Sequence, residues 1–296
     1  MRVFVAGATG VIGSRAVPAL VAAGHEVTAV ARGPIKAEQV RQTGATPLAV
    51  DLFDREAVAA AVAGHEVVVN LATKIPPMTR AARASAWAEN ERLRREASAH
   101  LVDAARSTGA ARIVQESICF PYLDAGDAWI DETAPRDAVG PFAGAAVAEV
   151  NAARATADGA VAVVLRFAQL YGAGHHQAMF DRLLRRRINP FLGPPEAYSS
   201  WVHVEDAGRA VVAALSAPAG TYNVVDDEPL TRAEAGAAAA AALGRRAPRS
   251  LPAVVRAALP ASARLLMRSQ RVSNAAFREA AGWRPTRPSI RGAWAS

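Results

Sequence analysis

Short apolar runs alternate with amphipathic stretches over the first two thirds of the chain. Residues 2–6 (RVFVA), 26–31 (EVTAVA), 46–50, 66–71 (EVVVNL), 112–116 and 161–167 are brief, β-branched and almost wholly apolar, the pattern of strands buried on both faces. Between them, residues 37–43, 55–63 and 143–157 carry apolar positions at helical spacing. Residues 84–107 do so over a longer span, with Leu93, Ala97, Leu101, Val102 and Ala105 on one stripe. Strands alternating with helices predict an α/β protein with a parallel, doubly wound sheet. The rhythm changes after the sixth strand. A basic helix is expected at 180–188, a further strand at 221–225 (TYNVV), and mostly helix beyond, including the alanine-rich stretch 233–243.

The first strand runs directly into Gly7-Ala8-Thr9-Gly10-Val11-Ile12-Gly13 and then a helix that Gly24 stops. Glycines at this spacing, between a strand and a helix and inside a βαβ unit, are the fingerprint of a dinucleotide site. Gly7 permits the tight turn, Gly10 lets backbone approach a pyrophosphate, and Gly13 lets helix and strand pack closely. The free N–H groups at the helix start face the phosphates. The second strand ends at Arg32, where an acid would grip a ribose 2′-hydroxyl. A guanidinium there suits a 2′-phosphate, with Lys36 four residues on, so NADP is expected in preference to NAD.

Composition narrows the class without naming a reaction. At 296 residues with 51% hydrophobic and 21% charged residues, the chain suits one large or two modest domains. The single cysteine, Cys119, excludes an intrachain disulfide. With no apolar run of membrane length and a first strand beginning right after Met1, a cytoplasmic protein is expected, without a membrane partner. The net charge of +7 comes from dispersed arginines, with no aromatic-interleaved basic module that would read as a nucleic-acid binder. Lysine occurs only twice among the 34 lysines and arginines, at Lys36 and Lys74, so chemistry needing an amine has two candidates.

Several further pieces resemble, in order and spacing, the extended short-chain dehydrogenase/reductase superfamily and its NAD(P)-dependent epimerase/dehydratase group. They are Asp51-Leu52, Leu71-Ala72-Thr73, Asn90, Arg166 with Tyr171-Gly172-x-Gly174, residues 202–206 (VHVED) and Gly282-Trp283-x-Pro285. The resemblance implies a Rossmann-type domain, with Asp51 and Leu52 flanking the adenine and Leu71, Ala72 and Thr73 lining the ribose side. It also implies a tyrosine acid with a lysine four residues later, and a serine after the fifth strand. Here the sequence departs. The residues four beyond Tyr122, Tyr171, Tyr198 and Tyr222 are Gly126, His175, Val202 and Asp226. Phe142 stands nearest the expected tyrosine and Ala146 nearest the lysine. Ser117 matches the first serine of the family's pair, and Ile118 stands where the catalytic one is expected. This pattern is similar to that of atypical members.

Replacement groups are therefore sought among Lys74 after the fourth strand, Ser117 and Tyr122 after the fifth, and His175 in the loop beyond Gly174. No metal site is expected, since His175-His176 has no acidic or cysteine partner at ligand spacing. Arg182, Arg185 and Arg186 share a helical face that could attract an anionic substrate. Residues 1–166, with 199–225 returning to them, are expected to form the Rossmann domain. Residues 167–198 and 226–296 would then form a smaller substrate lobe over the strand ends. The expected activity is that of an NADP-dependent reductase or epimerase acting on a carbonyl-bearing small molecule. A redox-neutral dehydratase, isomerase or cyclase and a non-catalytic NADP-binding sensor are the alternatives. A homodimer would be in keeping with relatives.

Overall fold

The computed structural model describes residues 1–77, 80, 81, 83–174 and 177–294. Seven strands form one parallel sheet. In the first half these are β1 (Arg2–Ala6), β2 (Glu26–Val30), β3 (Thr46–Leu48), β4 (Val67–Asn70) and β5 (Arg112–Ile118). After the two-residue β6 (Trp129–Ile130), which lies outside the sheet, come β7 (Val161–Phe167) and, beyond β8 (Gln169–Tyr171), β9 (Tyr198–Ser199) and β10 (Trp201–His203), the edge strand β11 (Gly220–Val224). The spatial order is β11-β7-β5-β4-β1-β2-β3, with the chain reversing direction across the sheet between β1 and β4. In open α/β sheets a ligand binds at such a switch point, beyond the carboxyl ends of the strands.

Helices α1 (Gly13–Ala22), α2 (Pro34–Arg41) and α3 (Arg55–Val62) follow the first three strands. Their ends are written locally. Gly33 takes a left-handed φ of 86° before Pro34, and Asp54 Oδ1 caps α3 by accepting from the N–H groups of Glu56 and Ala57. The long helix expected over 84–107 is composite. A 3₁₀ turn (Ala84–Trp87) leads into α4 (Ala88–Arg92), a π-helical turn (Leu93–Ala97) and α5 (Ser98–Thr108), which stops at left-handed Gly109. Side-chain periodicity survives one extra residue per turn, so the stripe is visible in the sequence while the π turn is not. Helix α6 (Ala143–Ala153) ends earlier than expected, in a 3₁₀ turn over Arg154–Asp158.

Apolar clusters pack against both faces of the sheet. On one, α1 and α8 (Val204–Ala213, after α7, Gln177–Arg185) cover Val3, Val5, Val69, Val114 and Leu165; on the other, α3 and α5 cover Phe4, Val68 and Ile113. Gly208 of α8 lets α1 come close, since a Cβ there would sit 2.5 Å from the Cβ of Arg15. The carboxyl-terminal third holds its own aromatic core of Tyr171, Phe180, Phe191, Trp201 and Trp294. Outside the sheet lie three short strand pairs the sequence pattern does not announce: β8 with β10, β9 with β12 (Leu230–Thr231), and β6 with β13 (Arg271–Val272). The segment 202–206 locks this third in place. Asp206, wholly buried, accepts from the N–H and Oγ1 of Thr286 and from the N–H of Arg287. Among the described residues no helix is long and apolar enough to cross a membrane.

Candidate active site

The glycine turn lies at the carboxyl end of β1, against β4. A Cβ on Gly7, whose φ is +79°, would fall 2.3 Å from the carbonyl carbon of Leu71, and one on Gly13 would fall 2.2 Å from Gly7 O. Neither position admits another residue without moving backbone. Gly10 donates to Gly7 O at 3.0 Å, while Gly10 and Val11 stay exposed and Thr9 and Ile12 half-buried, leaving an open backbone cradle. Arg32 and Lys36 are exposed beyond β2, free to meet a phosphate. Asp51 is exposed and its Oδ1 accepts from the N–H of Phe53, which holds Leu52 beneath as a buried wall. The turn, Arg32 and the 51–52 pair thus follow the carboxyl ends of β1, β2 and β3, which lie side by side in the sheet. The residues fit a dinucleotide: a cradle that a Cβ would fill, then a cation where a 2′-phosphate is expected.

Past β4 the chain is held by two buried amides. Asn70, fixed by Gln115 of β5 through a 2.9 Å bond, accepts from the N–H of Ala72. Asn90 of α4 accepts from the N–H of Lys74 at 3.0 Å. Ala72 and Thr73 are half-buried, and the Lys74 side chain is exposed at the strand end. Above the turn, the loop after β8 folds down. Gly174 approaches Val11, and Arg15 Nη2 donates to Ala173 O at 2.9 Å while Arg15 Nε pairs with Glu205. His175, which follows Gly174, lies outside the described residues.

Ser117 and Tyr122 lie together, but inside a closed network. Ser117 Oγ donates to Glu149 Oε1 of α6 at 2.6 Å. The same carboxylate receives Arg136 Nη1 at 2.8 Å, and Arg166 in a bidentate grip at 3.0 and 2.8 Å. Arg166 Nη1 also donates to the Tyr122 hydroxyl at 2.7 Å, which in turn donates to Asn223 Oδ1 of β11 at 2.8 Å. Burial pushes the Glu149 carboxyl up, yet the bonds and charge of Arg166, with Ser117 and Arg136, outweigh it and hold the group below the usual range. Burial pushes the Tyr122 phenol up, far from useful acidity, and the ring has no exposed surface. In this arrangement both residues tie β5, β7, β11 and α6 together beneath the site.

The first turn of α6 carries neither tyrosine nor lysine. Phe142 is buried and stacks on Phe120 with ring centroids 5.6 Å apart. Beside them is a second buried ion pair, Arg94 Nη2 to Glu116 Oε1 at 2.7 Å. Burial raises the Glu116 carboxyl, against the opposing charge and bond of Arg94. The sequence reading passed over Glu149 and Arg94. Glu149 had a signal, as the only acid in the otherwise apolar or neutral helix 143–153; Arg94, one arginine among many on a charged helix, had none. Ala178, Asp181, Arg182, Arg185 and Arg186 of α7 border an open cavity of about 490 Å³. Among the described residues no group of three or more His, Cys, Asp or Glu side chains is placed to hold a metal ion.

Known proteins share this plan. The model of the NAD dependent epimerase/dehydratase family matches residues 3–225. A 3-diazoavenalumate denitrifying reductase from a Streptomyces species is 40% identical over 304 residues, covering 98% of each chain. The human epimerase family protein SDR39U1 is 30% identical over 273 residues, covering 86% of this chain and 85% of its own. The human protein's crystal structure with NADPH superposes with a TM-score of 0.78 at 26% identity, covering 99% of this chain and 97% of that one. A UDP-glucose-4-epimerase from Stenotrophomonas maltophila, solved with NAD, shares the fold at a TM-score of 0.80 and 20% identity, over 99% and 95% of the chains. Family and relatives support an NAD(P)-dependent oxidoreductase-like or epimerase-like role. From β1 to β11, the chain belongs to the NAD dependent epimerase/dehydratase family.

Proposed function

We propose that the protein is an NADPH-dependent reductase whose acceptor needs no proton from the enzyme, a diazo compound in its diazonium form being the substrate class. The observation that carries this reading is a dinucleotide cradle kept whole beside an α6 first turn without tyrosine or lysine. Gly7, Thr9, Gly10, Val11, Ile12 and Gly13 would hold the pyrophosphate, Arg32 the 2′-phosphate, Asp51 and Leu52 the adenine, and Leu71, Ala72 and Thr73 the ribose. Carbonyl reduction needs an acid beside the substrate oxygen. Tyr122 is buried, doubly bonded and pushed away from acidity. When bound, the cofactor supplies hydride, and with a diazonium the new C–H bond forms as the C–N bond breaks and its electron pair leaves with dinitrogen. The reductase relative, named for a diazo carboxylate and denitrification, supports the same chemistry. The α7 arginines would draw a carboxylate-bearing substrate.

One observation favours a second reading. Lys74 is exposed at the end of β4, and its ammonium could protonate a carbonyl oxygen in an NADPH-dependent ketone reduction. The two readings part on one comparison, in which NADPH consumption is followed with a stabilised diazonium salt and with a ketone of similar shape. The first reading expects turnover of the diazonium alone, with Lys74→Ala leaving that rate unchanged. Turnover of the ketone, abolished by Lys74→Ala, would overturn it.

A further inference from the structure

One edge of the carboxyl-terminal third gathers arginines around an uncovered apolar turn. Helix α7 runs out in Arg185, Arg186 and Arg187, and the stretch after α9 (Arg232–Ala242) carries Arg245, Arg246 and Arg249. The two stretches meet through backbone. The N–H of Arg249 donates to Arg187 O at 2.8 Å, and Arg249 O accepts the N–H of Asn189 at 3.0 Å. Asn189 in turn fixes α9, its Nδ2 donating to Arg232 O at 3.0 Å, where a Cβ on Gly236 would fall 2.7 Å from the same nitrogen. All six arginines are exposed, and among the described residues none of them makes an ion pair. The acid on α7, Asp181, is occupied by Trp294 Nε1 and Gln177 Nε2. Unpaired like charges repel one another, so such a surface favours an anionic neighbour. From Arg249 the chain continues into α10 (Ala253–Ala257), which buries no residue. Val254 is 76% exposed and Val255 43%, and Pro252, Ala253, Ala257 and Ala258 are exposed with them. Ile188, bridged to Arg249, is 40% exposed. Contiguous apolar residues rimmed by charge mark a protein or membrane contact.

We propose that this edge docks on an anionic lipid bilayer, the arginines pairing with lipid phosphates and α10 seating Val254 and Val255 just below the headgroups. The other occupants fit half of the surface each. A second copy of the chain would set arginine against arginine. Duplex nucleic acid offers phosphates but no apolar phase for the valines. A protein interface centres on aromatic anchors, and among the described residues this edge exposes none. A bilayer supplies phosphates in one layer and acyl chains directly beneath. The guanidinium suits the first, since its planar fork grips a phosphate through two bonds. The attachment is peripheral, as no described helix is long and apolar enough to cross a membrane.

The test is co-sedimentation of the full chain with vesicles of phosphatidylcholine alone and of an equal mixture of phosphatidylcholine and phosphatidylglycerol. Wild type is expected to bind the mixed vesicles, to leave the neutral ones in suspension without it, and to bind about tenfold or more weakly when salt is raised. Two variants separate the contributions. Arg245→Gln/Arg246→Gln/Arg249→Gln changes three arginines outside the α7 cavity, and Val254→Ser/Val255→Ser changes the apolar turn. Each should lose about tenfold or more in affinity for the mixed vesicles. The altered side chains are exposed, so both variants should melt with wild type, which reports that they are folded. Wild type that ignores the mixed vesicles, or binds both kinds equally, overturns the proposal. So does either variant binding as tightly as wild type, since the valine result would then leave only adsorption by charge. Preferential capture by duplex DNA added as competitor would assign the edge to nucleic acid and overturn it as well.

Discussion

The buried carboxylate of Glu149 should carry several kcal/mol of the fold's stability. It neutralises Arg166, 4% exposed, and receives Arg136 and Ser117, so Glu149→Gln removes one negative charge while leaving the volume intact. The amide can still accept from one partner, but its NH₂ group faces a guanidinium, and the Arg166 charge is left uncompensated in a dry site. Removing one member of such a pair costs about 3–5 kcal/mol. At about 2–4 °C per kcal/mol for a chain of this size, the melting temperature should fall by roughly 10 °C. The pH dependence carries a sign. The carboxyl is held below its unfolded value, so its contribution is present above that value and disappears as pH falls through the lower, folded one. Wild type should therefore lose melting temperature in acid below about pH 4.5, and the difference between wild type and Glu149→Gln should shrink over the same interval. Thermal unfolding across pH measures both. A variant within about 1 kcal/mol of wild type at neutral pH would mean that the Glu149–Arg166 pair contributes no more than a solvated surface pair.

Other expectations follow from single positions. Arg32→Ala should weaken NADPH binding by roughly 10- to 100-fold, the weight of a charge-assisted bond, and leave NADH binding unchanged in parallel titrations; equal effects on both would remove Arg32 from the 2′-phosphate site. Gly7→Ala should lose cofactor binding and melt lower, since a methyl group 2.3 Å from the Leu71 carbonyl carbon must push β4 away from β1. A variant with full affinity would show that the cradle is not where the cofactor sits. Asp226, buried beside Asp227 and Glu228, has its carboxyl raised well above the ordinary range, first by burial. Its protonated form is favoured by folding, so its stability is present at acid pH and lost as pH rises through the raised value. Asp226→Asn should gain melting temperature relative to wild type as pH increases, and a gain independent of pH would contradict this.

How much was legible beforehand depended on how local each cause is. Five of the six strands from β1 to β7 that join the sheet announce themselves as short apolar, largely buried runs rich in β-branched residues, while the edge strand β3, Thr46–Leu48, is exposed or half-buried throughout. The glycine turn announces itself because backbone crowding at Gly7 and Gly13 leaves no other residue. The two-residue strands β6, β9, β12 and β13 have no period to read. The π turn at 93–97 has no local residue pattern to mark it, and the contacts of its Arg94 are distant in the chain, with Glu116, 22 residues away, and Gly144. Ser117 and Tyr122 were visible as polar groups near the end of β5. Which way they face is decided by Glu149, 32 residues from Ser117, and Arg166, 44 residues from Tyr122. Periodicity carries no information about such pairings.

Hydride delivery without an enzyme proton is open to isotope labelling. The protein would be incubated with a diazonium substrate and NADPH carrying deuterium at the transferable position, and in a second vessel with ordinary NADPH in heavy water. Deuterium is expected at the former C–N carbon in the first vessel and none in the second. Label arriving from solvent, or no cofactor-dependent product in either vessel, would contradict it.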